Sequence, residues 1–395
     1  MQIYIHIPFC LAKCKYCAFN SIVSNSDIIE KYIKTLCKEI RQSELNQKIS
    51  TIYFGGGTPS ILTARQFADI FESLNEKFNL NDCNEITVEA NPGTDLTYDY
   101  LAQLQKFGVN RLSLGVQSFD DNLLKTLGRI HSSIEAIKAI NLAKLVFENV
   151  SIDLMYDLPH QTPKILRETI TTALKMKVQH ISIYGLEVEE STEFGRLNEI
   201  GQLNLPNDDE SNEMYEYIMS ELPKNGFNRY EISNFAKSGF ESQHNLGYWS
   251  DVPYIGFGAG AHSYFNEKIV KSMETLLLTL HSSLFTDKDF GVRFSNVANV
   301  SEYIKGVDKC LEEIVTKERA IEEFCFLSLR KAEGSDIAKF KFKFGEDINS
   351  LYSKVIDKLN QQGLIEIENS HIKLTNRGMK YGNYVFSEFL LSETL

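Results

Sequence analysis

Three cysteines, Cys10, Cys14 and Cys17, stand near the start of the chain in the spacing C-x3-C-x2-C. Thiolates are soft ligands that suit zinc or an iron–sulfur cluster. A structural zinc would need a fourth ligand from His6 or from a distant residue, whereas a catalytic zinc would accept three. A four-iron cluster held by three thiolates leaves one iron open to an external ligand, and this is the chemistry the spacing favours. The remaining cysteines, Cys37, Cys83, Cys310 and Cys325, are scattered singly and are expected to be core thiols. An odd total of seven in an intracellular-looking chain argues against a disulfide framework.

Further polar or flexible residues recur at regular places. Phe54-Gly55-Gly56-Gly57-Thr58-Pro59-Ser60 would let backbone groups approach a ligand closely. Glu89 in VEANPGT, Gln117 in SLGVQSF and Asp153 in SIDLMYDLP fall at or near the ends of apolar runs, with Arg129 further on in LGRIH. Each alone could be a helix cap or a surface charge. Two histidines lie in the Gly- and aromatic-rich stretch QHNLGYWSDVPYIGFGAGAHSYF, which reads as loop. His244 sits beside Tyr248 and Trp249, the only tryptophan, and His262 follows a Gly/Ala turn. Either histidine could be a hydrogen-bonded structural residue.

The elements that must position these residues alternate. Apolar β-rich runs at Ile3–Ile7, Thr51–Phe54, Ile86–Val88, Arg111–Leu114, Val150–Leu154 and Ile181–Tyr184 imply six strands. Between them lie helical faces such as Ile29, Tyr32, Ile33, Leu36 and Ile40, or Phe67, Ile70, Phe71, Leu74 and Phe78. Near-continuous apolar strands alternating with amphipathic helices mean a parallel sheet, and six units fit an α/β fold of the partial (β/α)6 TIM type. Active sites of such barrels gather where the strands end, so the strand-end residues would converge on one mouth. A helical segment from Asn207 and a strand-like run at Phe227–Ile232 follow, and residues 266–300 read as a connector. Helices at Ile321–Leu329, Ile348–Leu359 and Met379–Leu390, with LIEIENSHIKL as a hairpin, give a C-terminal helical, winged-helix-like domain over 301–395.

Composition narrows the function. The 395 residues are 43% hydrophobic and 24% charged, which is ordinary for a chain able to bury a sizeable core. A net charge of −12 argues against a broad nucleic-acid footprint, and the winged-helix-like tail has no cationic excess, so no nucleic-acid partner is expected. No apolar run approaches the ~20 residues of a membrane span, and a cytoplasmic location is expected.

With the cysteines placed after a first barrel strand, C-x3-C-x2-C resembles the radical S-adenosylmethionine (radical SAM) superfamily, and Tyr16 before the last cysteine matches it too. In that superfamily the free iron of a [4Fe-4S] cluster binds S-adenosylmethionine, and an electron from the cluster splits the sulfonium to a 5′-deoxyadenosyl radical. Gly56, Gly57 and Thr58 resemble the segment that receives the methionine amino group, with Thr58 replacing an acidic residue. Glu89, Gln117, Arg129 and Asp153 resemble ligands for the adenosyl and carboxylate parts. The motifs YIHIPFC, GGGTPS, EANPG, GVQSF, LGRIH and DLMYDLP, spread over residues 1–265, are similar to the branch containing oxygen-independent coproporphyrinogen III oxidase and its relatives, the haem chaperones of the HemW family. Tyr4 corresponds there to an aromatic against the cofactor.

Two departures set this chain apart from the oxidase. Phe19 stands where the oxidase has a further cysteine, and only nine residues precede Cys10, so the oxidase's leading segment is expected to be missing. His244, Asn245, Tyr248 and Trp249 fit H-N-x-x-Y-W, the haem motif proposed for the family. The resemblance therefore implies a haem chaperone that binds a [4Fe-4S] cluster, S-adenosylmethionine and haem and passes haem to acceptor proteins, respiratory ones among them. Radical decarboxylation of coproporphyrinogen III is the alternative. A dimer and peripheral membrane association are both compatible with this reading.

Overall fold

The protein is represented by a computed structural model that describes residues 1–272, 286, 289–306 and 309–391. Six parallel strands lie side by side in chain order: Gln2–Ile7, Thr51–Gly56, Glu85–Ala90, Arg111–Gln117, Asn149–Tyr156 and His180–Gly185. Helices such as Ser26–Gln42, Ala64–Lys77, Ser133–Val146 and Pro163–Lys175 connect them. Their starts are written locally: Thr63 with Gln66, and Ser132 with Glu135, form reciprocal capping boxes, while Thr162 caps a helix that opens on Pro163.

The strands are not uniformly apolar, as their short runs suggest, but alternate strictly. Ile3, Ile5, Ile52, Phe54, Ile86, Val88, Leu112, Leu114, Val150, Ile152, Ile181 and Ile183 face outward and are buried under the helices. Each such side chain stabilises the fold by about 1.5–3 kcal/mol. The intervening positions, among them Gln2, His6, Thr87, Glu85, Arg111, Ser113, Ser151, His180 and Ser182, point inward and are also buried. The barrel therefore has a hydrophobic jacket and a polar interior, which is what an enclosed site for a polar ligand requires.

The sheet does not end with the sixth strand or close on itself. The stretch 243–266, read from sequence as loop, contains a helix, Gln243–Trp249, and two strands, Tyr254–Phe257 and His262–Asn266. Tyr254–Phe257 pairs in parallel with the first barrel strand, and His262–Asn266, Gly291–Ser295 and Cys310–Val315 continue the sheet antiparallel to one another; with two short strands at its other edge the sheet has twelve among the described residues. Glycines in YIGFGAG concealed the strand because here they serve close packing. A Cβ on Gly256 would lie 2.3 Å from the His262 carbonyl oxygen. The run Phe227–Ile232 contains one short strand, Asn228–Arg229, and a second, Asn234–Ala236, follows just beyond it at the other edge.

Residues 291–295 thus belong to the main sheet, although 266–300 read as a connector; residues 273–285 and 287–288 of that stretch lie outside the described residues. Val292, Phe294, Val300 and Tyr303 pack into the barrel core, and a second core gathers Tyr264 with Val315, Ala320, Ile321 and Cys325. This second core is wrapped by helices Lys317–Leu329, Ile337–Phe344 and Ser353–Gln361 and by an antiparallel sheet of Ser335–Asp336, His371–Leu374 and Ile365–Glu368. Of the scattered cysteines, Cys37 and Cys325 are buried as expected, Cys83 is partly buried, and Cys310 is exposed because it begins the sheet's outermost strand.

Candidate functional site

The first barrel strand delivers the chain to Cys10, and the loop that follows carries Cys14 and Cys17 over the strand ends. Two backbone bonds join this segment to the glycine run: Gly57 N donates to the Ile7 carbonyl at 2.9 Å and Thr58 N to the Phe9 carbonyl at 2.8 Å. The run must be glycine, because Gly56 has φ +109° and its Cβ would meet the His6 ring at 2.5 Å, while a Cβ on Gly57 would meet the Phe9 carbonyl oxygen at 2.6 Å. Thr58 is buried, and its hydroxyl lies 3.6 Å from Cys10 Sγ. From the opposite side Arg129 reaches in, with Nη1 3.4 Å from Cys14 Sγ and Nη2 2.5 Å from the Gly115 carbonyl.

All three cysteines line one cavity of about 430 Å³ at the carboxyl ends of the strands, together with Tyr16, Gly56, Gly57, Thr58, Glu89, Gln117, Arg129 and Asp153. The volume suits a nucleoside-sized ligand. Gln117 reaches it through an irregularity: the strand register shifts between Gly115 and Gln117, and Gln117 takes φ 67°. A non-glycine residue held in that region at a strand end is a strained conformation of the kind that re-aims a side chain.

The cavity wall is charged and unevenly satisfied. Tyr53 Oη donates to Glu89 Oε1 at 2.6 Å, and burial pushes the Glu89 carboxyl up to about 7. Burial also raises Asp153, against the hydrogen bonds of Ser182 and Ser113 and the nearby Arg111 charge. Nε of both Arg111 and Arg129 is buried and has no hydrogen-bond partner among the described residues. A ligand with an ammonium group, hydroxyls and a carboxylate would find acceptors in the two acids and a cation in Arg129. Among the described residues no three His, Cys, Asp or Glu side chains converge closely enough to hold a single metal ion. In a cubane each cysteine binds a different iron, so three thiols lining one cavity fit the cluster without meeting at a single ion.

Tyr4 does not line the cavity. It lies one layer deeper, its hydroxyl 2.9 Å from His6 Nδ1 and its ring 3.2 Å from where a Cβ on Gly55 would stand, so it backs the wall. Tyr53, Arg111, Ser113, Ser182 and Tyr184 do line it and were not singled out from sequence. Their signal was available: each occupies an inward position in the period-two alternation of its strand.

The four residues of the H-N-x-x-Y-W segment separate. They form the helix Gln243–Trp249, which closes the barrel at the strands' starting end. Asn245 alone lines the cavity. His244 is buried, its Nδ1 2.8 Å from Thr51 Oγ1 and its Nε2 3.1 Å from Tyr248 Oη, with its ring stacked 5.0 Å from that of Tyr53. Desolvation pushes its pKa down to about 3. With both nitrogens engaged inside the protein, His244 is not placed to ligate a haem in this conformation, and Tyr248 is its partner. Trp249 lies away from the cavity under the Arg330 guanidinium, 5.0 Å from the ring centre, and so fastens the C-terminal domain. The helix is held by Glu85, whose carboxylate accepts from Ser242 Oγ at 3.3 Å, Gln243 N at 2.9 Å and His244 N at 3.1 Å. Gly247 lets it touch the sheet, since a Cβ there would lie 2.1 Å from Gln2 Nε2.

Comparison with known proteins gives a consistent result. Residues 4–173 match the Radical SAM superfamily and residues 315–381 the HemN C-terminal domain. The chain is 39% identical to the haem chaperone HemW of Lactococcus lactis, over 99% of this chain and 97% of that protein. It is 40% identical to the haem chaperone HemW of Bacillus subtilis, over 98% of each. Coproporphyrinogen III oxidase (HemN) from Escherichia coli superposes with a TM-score of 0.81 at 21% identity, covering 99% of this chain and 90% of that one, a likeness of fold alone.

Proposed function

The chain belongs to the HemW family of the radical SAM superfamily, and on that premise we propose that it is a haem chaperone, binding haem and passing it to acceptor proteins. The observation that supports this reading is the meeting, in one cavity, of three thiols with a glycine-lined strand end, two buried acids and an arginine. Cys10, Cys14 and Cys17 would hold the [4Fe-4S] cluster. Gly56, Gly57 and Thr58 would face the amino-acid part of S-adenosylmethionine, and Glu89, Gln117, Arg129 and Asp153 the rest of it. When bound, the two groups together supply one-electron reductive chemistry at the sulfonium. Of the protein's own groups, Arg129 sets a positive charge against Cys14 Sγ, and Glu89, poised near neutrality, can accept or release a proton beside Tyr53.

The acceptors in this reading include respiratory proteins, and the location is cytoplasmic. No helix among the described residues is long and apolar enough to cross a membrane. Phe19 lines the cavity where the oxidase would place another cysteine, which favours carriage over decarboxylation. The test is anaerobic reconstitution of the full chain, followed by a haem titration and by incubation with coproporphyrinogen III and S-adenosylmethionine. Saturable haem binding and transfer to a haem-depleted cytochrome are expected. Substantial formation of protoporphyrinogen IX would replace the chaperone reading with the enzymatic one.

A further inference from the structure

If the histidine of the H-N-x-x-Y-W segment is committed to the barrel's closed end, haem iron needs another protein ligand. His6, His131, His180 and His244 each have both ring nitrogens hydrogen-bonded internally. His160 is exposed, but its Nδ1 faces the Asn204 amide at 3.1 Å, and an imidazole that accepts there keeps its proton on Nε2. His371 lies at the far wing hairpin, its Nδ1 2.9 Å from the Asn369 carbonyl and its Nε2 3.9 Å from Asp336.

Among the described histidines, His262 is different. Its side chain is 60% exposed and its Nδ1 is 2.9 Å from Glu312 Oε2, while Nε2 has no partner among the described residues. A carboxylate only accepts, so it fixes the ring proton on Nδ1 and turns the Nε2 lone pair to the outside, which is how a carboxylate prepares a metal-binding imidazole.

The fold puts this group at the correct end. His262 begins a strand antiparallel to Tyr254–Phe257, which runs parallel to the first barrel strand, so His262 lies where the barrel strands finish, as Cys10 does. Its turn is also fastened to the segment leaving the cysteine loop. Asn20 Nδ2 donates to the Ala259 carbonyl at 3.2 Å and to the Ala298 carbonyl at 2.9 Å, and Gly260 approaches Asn20 so closely that a Cβ would lie 2.5 Å from it. On that same segment Phe19 is 72% and Val23 60% exposed, an unusual amount of bare apolar surface beside a polar site.

We propose that Nε2 of His262 is the protein ligand to haem iron, with Glu312 as its positioning residue and the exposed side chains of Phe19 and Val23 as apolar contacts for the porphyrin. This inference rests on the haem-carrying reading above and assigns it a site. Cys310, exposed and in register with His262 through Ser295, is the rival ligand.

The full chain, purified anaerobically, is titrated with ferric haem and followed by its Soret band and electron paramagnetic resonance. The parent protein should show a nitrogen-ligated iron. His262→Ala should lose that signature and regain it with added imidazole, and Glu312→Gln should keep it but bind about tenfold more weakly. An unchanged spectrum in His262→Ala, or a signature abolished by Cys310→Ser instead, overturns the assignment while leaving haem carriage intact. Failure of the parent chain to bind haem at all would remove the carriage reading itself, and this assignment with it.

Discussion

The two ends of the barrel use the same residue types to opposite effect. At the starting end, Glu85 satisfies three donors of one helix and His244 spends both nitrogens on Thr51 and Tyr248. Four residues further along the same strand, Glu89 receives one side-chain hydrogen bond, from Tyr53, and shares its cavity with three thiols and an arginine whose Nε is unpaired. Residue type does not separate structure from chemistry here; saturation does. A polar group whose partners are all protein holds the fold together, and one left short of partners can receive a ligand.

Three substitutions sharpen this contrast. The largest effect is expected at the unsaturated end. Cys14→Ser should abolish the visible absorbance of the reconstituted protein, because two thiolates do not hold a cubane securely. Iron and sulfide contents equal to those of the parent would contradict it. At the saturated end, Glu85→Ala strips the helix Gln243–Trp249 of its capping carboxylate and leaves buried Arg111 without the strongest of its nearby negative charges. A loss of about 3–5 kcal/mol in urea unfolding is expected, with iron per folded molecule unchanged. Iron loss to match Cys14→Ser would mean that the two ends are not separable.

The smallest effect comes from His244→Phe, which keeps the ring but leaves the hydroxyls of Thr51 and Tyr248 unpaired, at about 1–3 kcal/mol, with the haem titration unaltered. The pH dependence should divide the ends further. His244 is held down to about 3 against an ordinary 6.5, so the unfolded chain takes the proton first, and the stability due to this neutral ring is whole above 6.5 and drains away as pH falls towards 3. Glu89 runs the other way. Raised from 4.5 to about 7, it keeps a proton in the folded state that the unfolded chain has released, so its contribution is whole below 4.5 and is lost as pH rises through 7. Subtracting the unfolding curve of His244→Phe from that of the parent should reveal the first slope, and Glu89→Gln the second. Slopes of the same sign would undo the comparison.

Much of this was legible beforehand. Six strands stand where short apolar runs predicted them, and the eleven residues expected at the cluster and its cofactor, Tyr4 apart, all line one cavity. The other cavity-lining residues are partly written in the same runs. RLSLGVQ and HISIYG alternate perfectly, which announces a polar interior and so would have named Arg111, Ser113 and Ser182. YIGFGAG hid a strand because glycines that admit a neighbouring backbone look the same in sequence as glycines that make a turn.

The sequence by itself determined the grouping of Cys10, Cys14 and Cys17 and the barrel that presents them, because both depend on spacings of a few residues and on the local periodicity of strand and helix. Only the tertiary structure decided which partners the described histidines meet. The partners that immobilise His244 lie 193 residues away at Thr51 and 159 residues away at Glu85, and the acid that orients His262 lies 50 residues further on. Whether an imidazole nitrogen is spent or available is a property of such distant neighbours, and no local pattern records it.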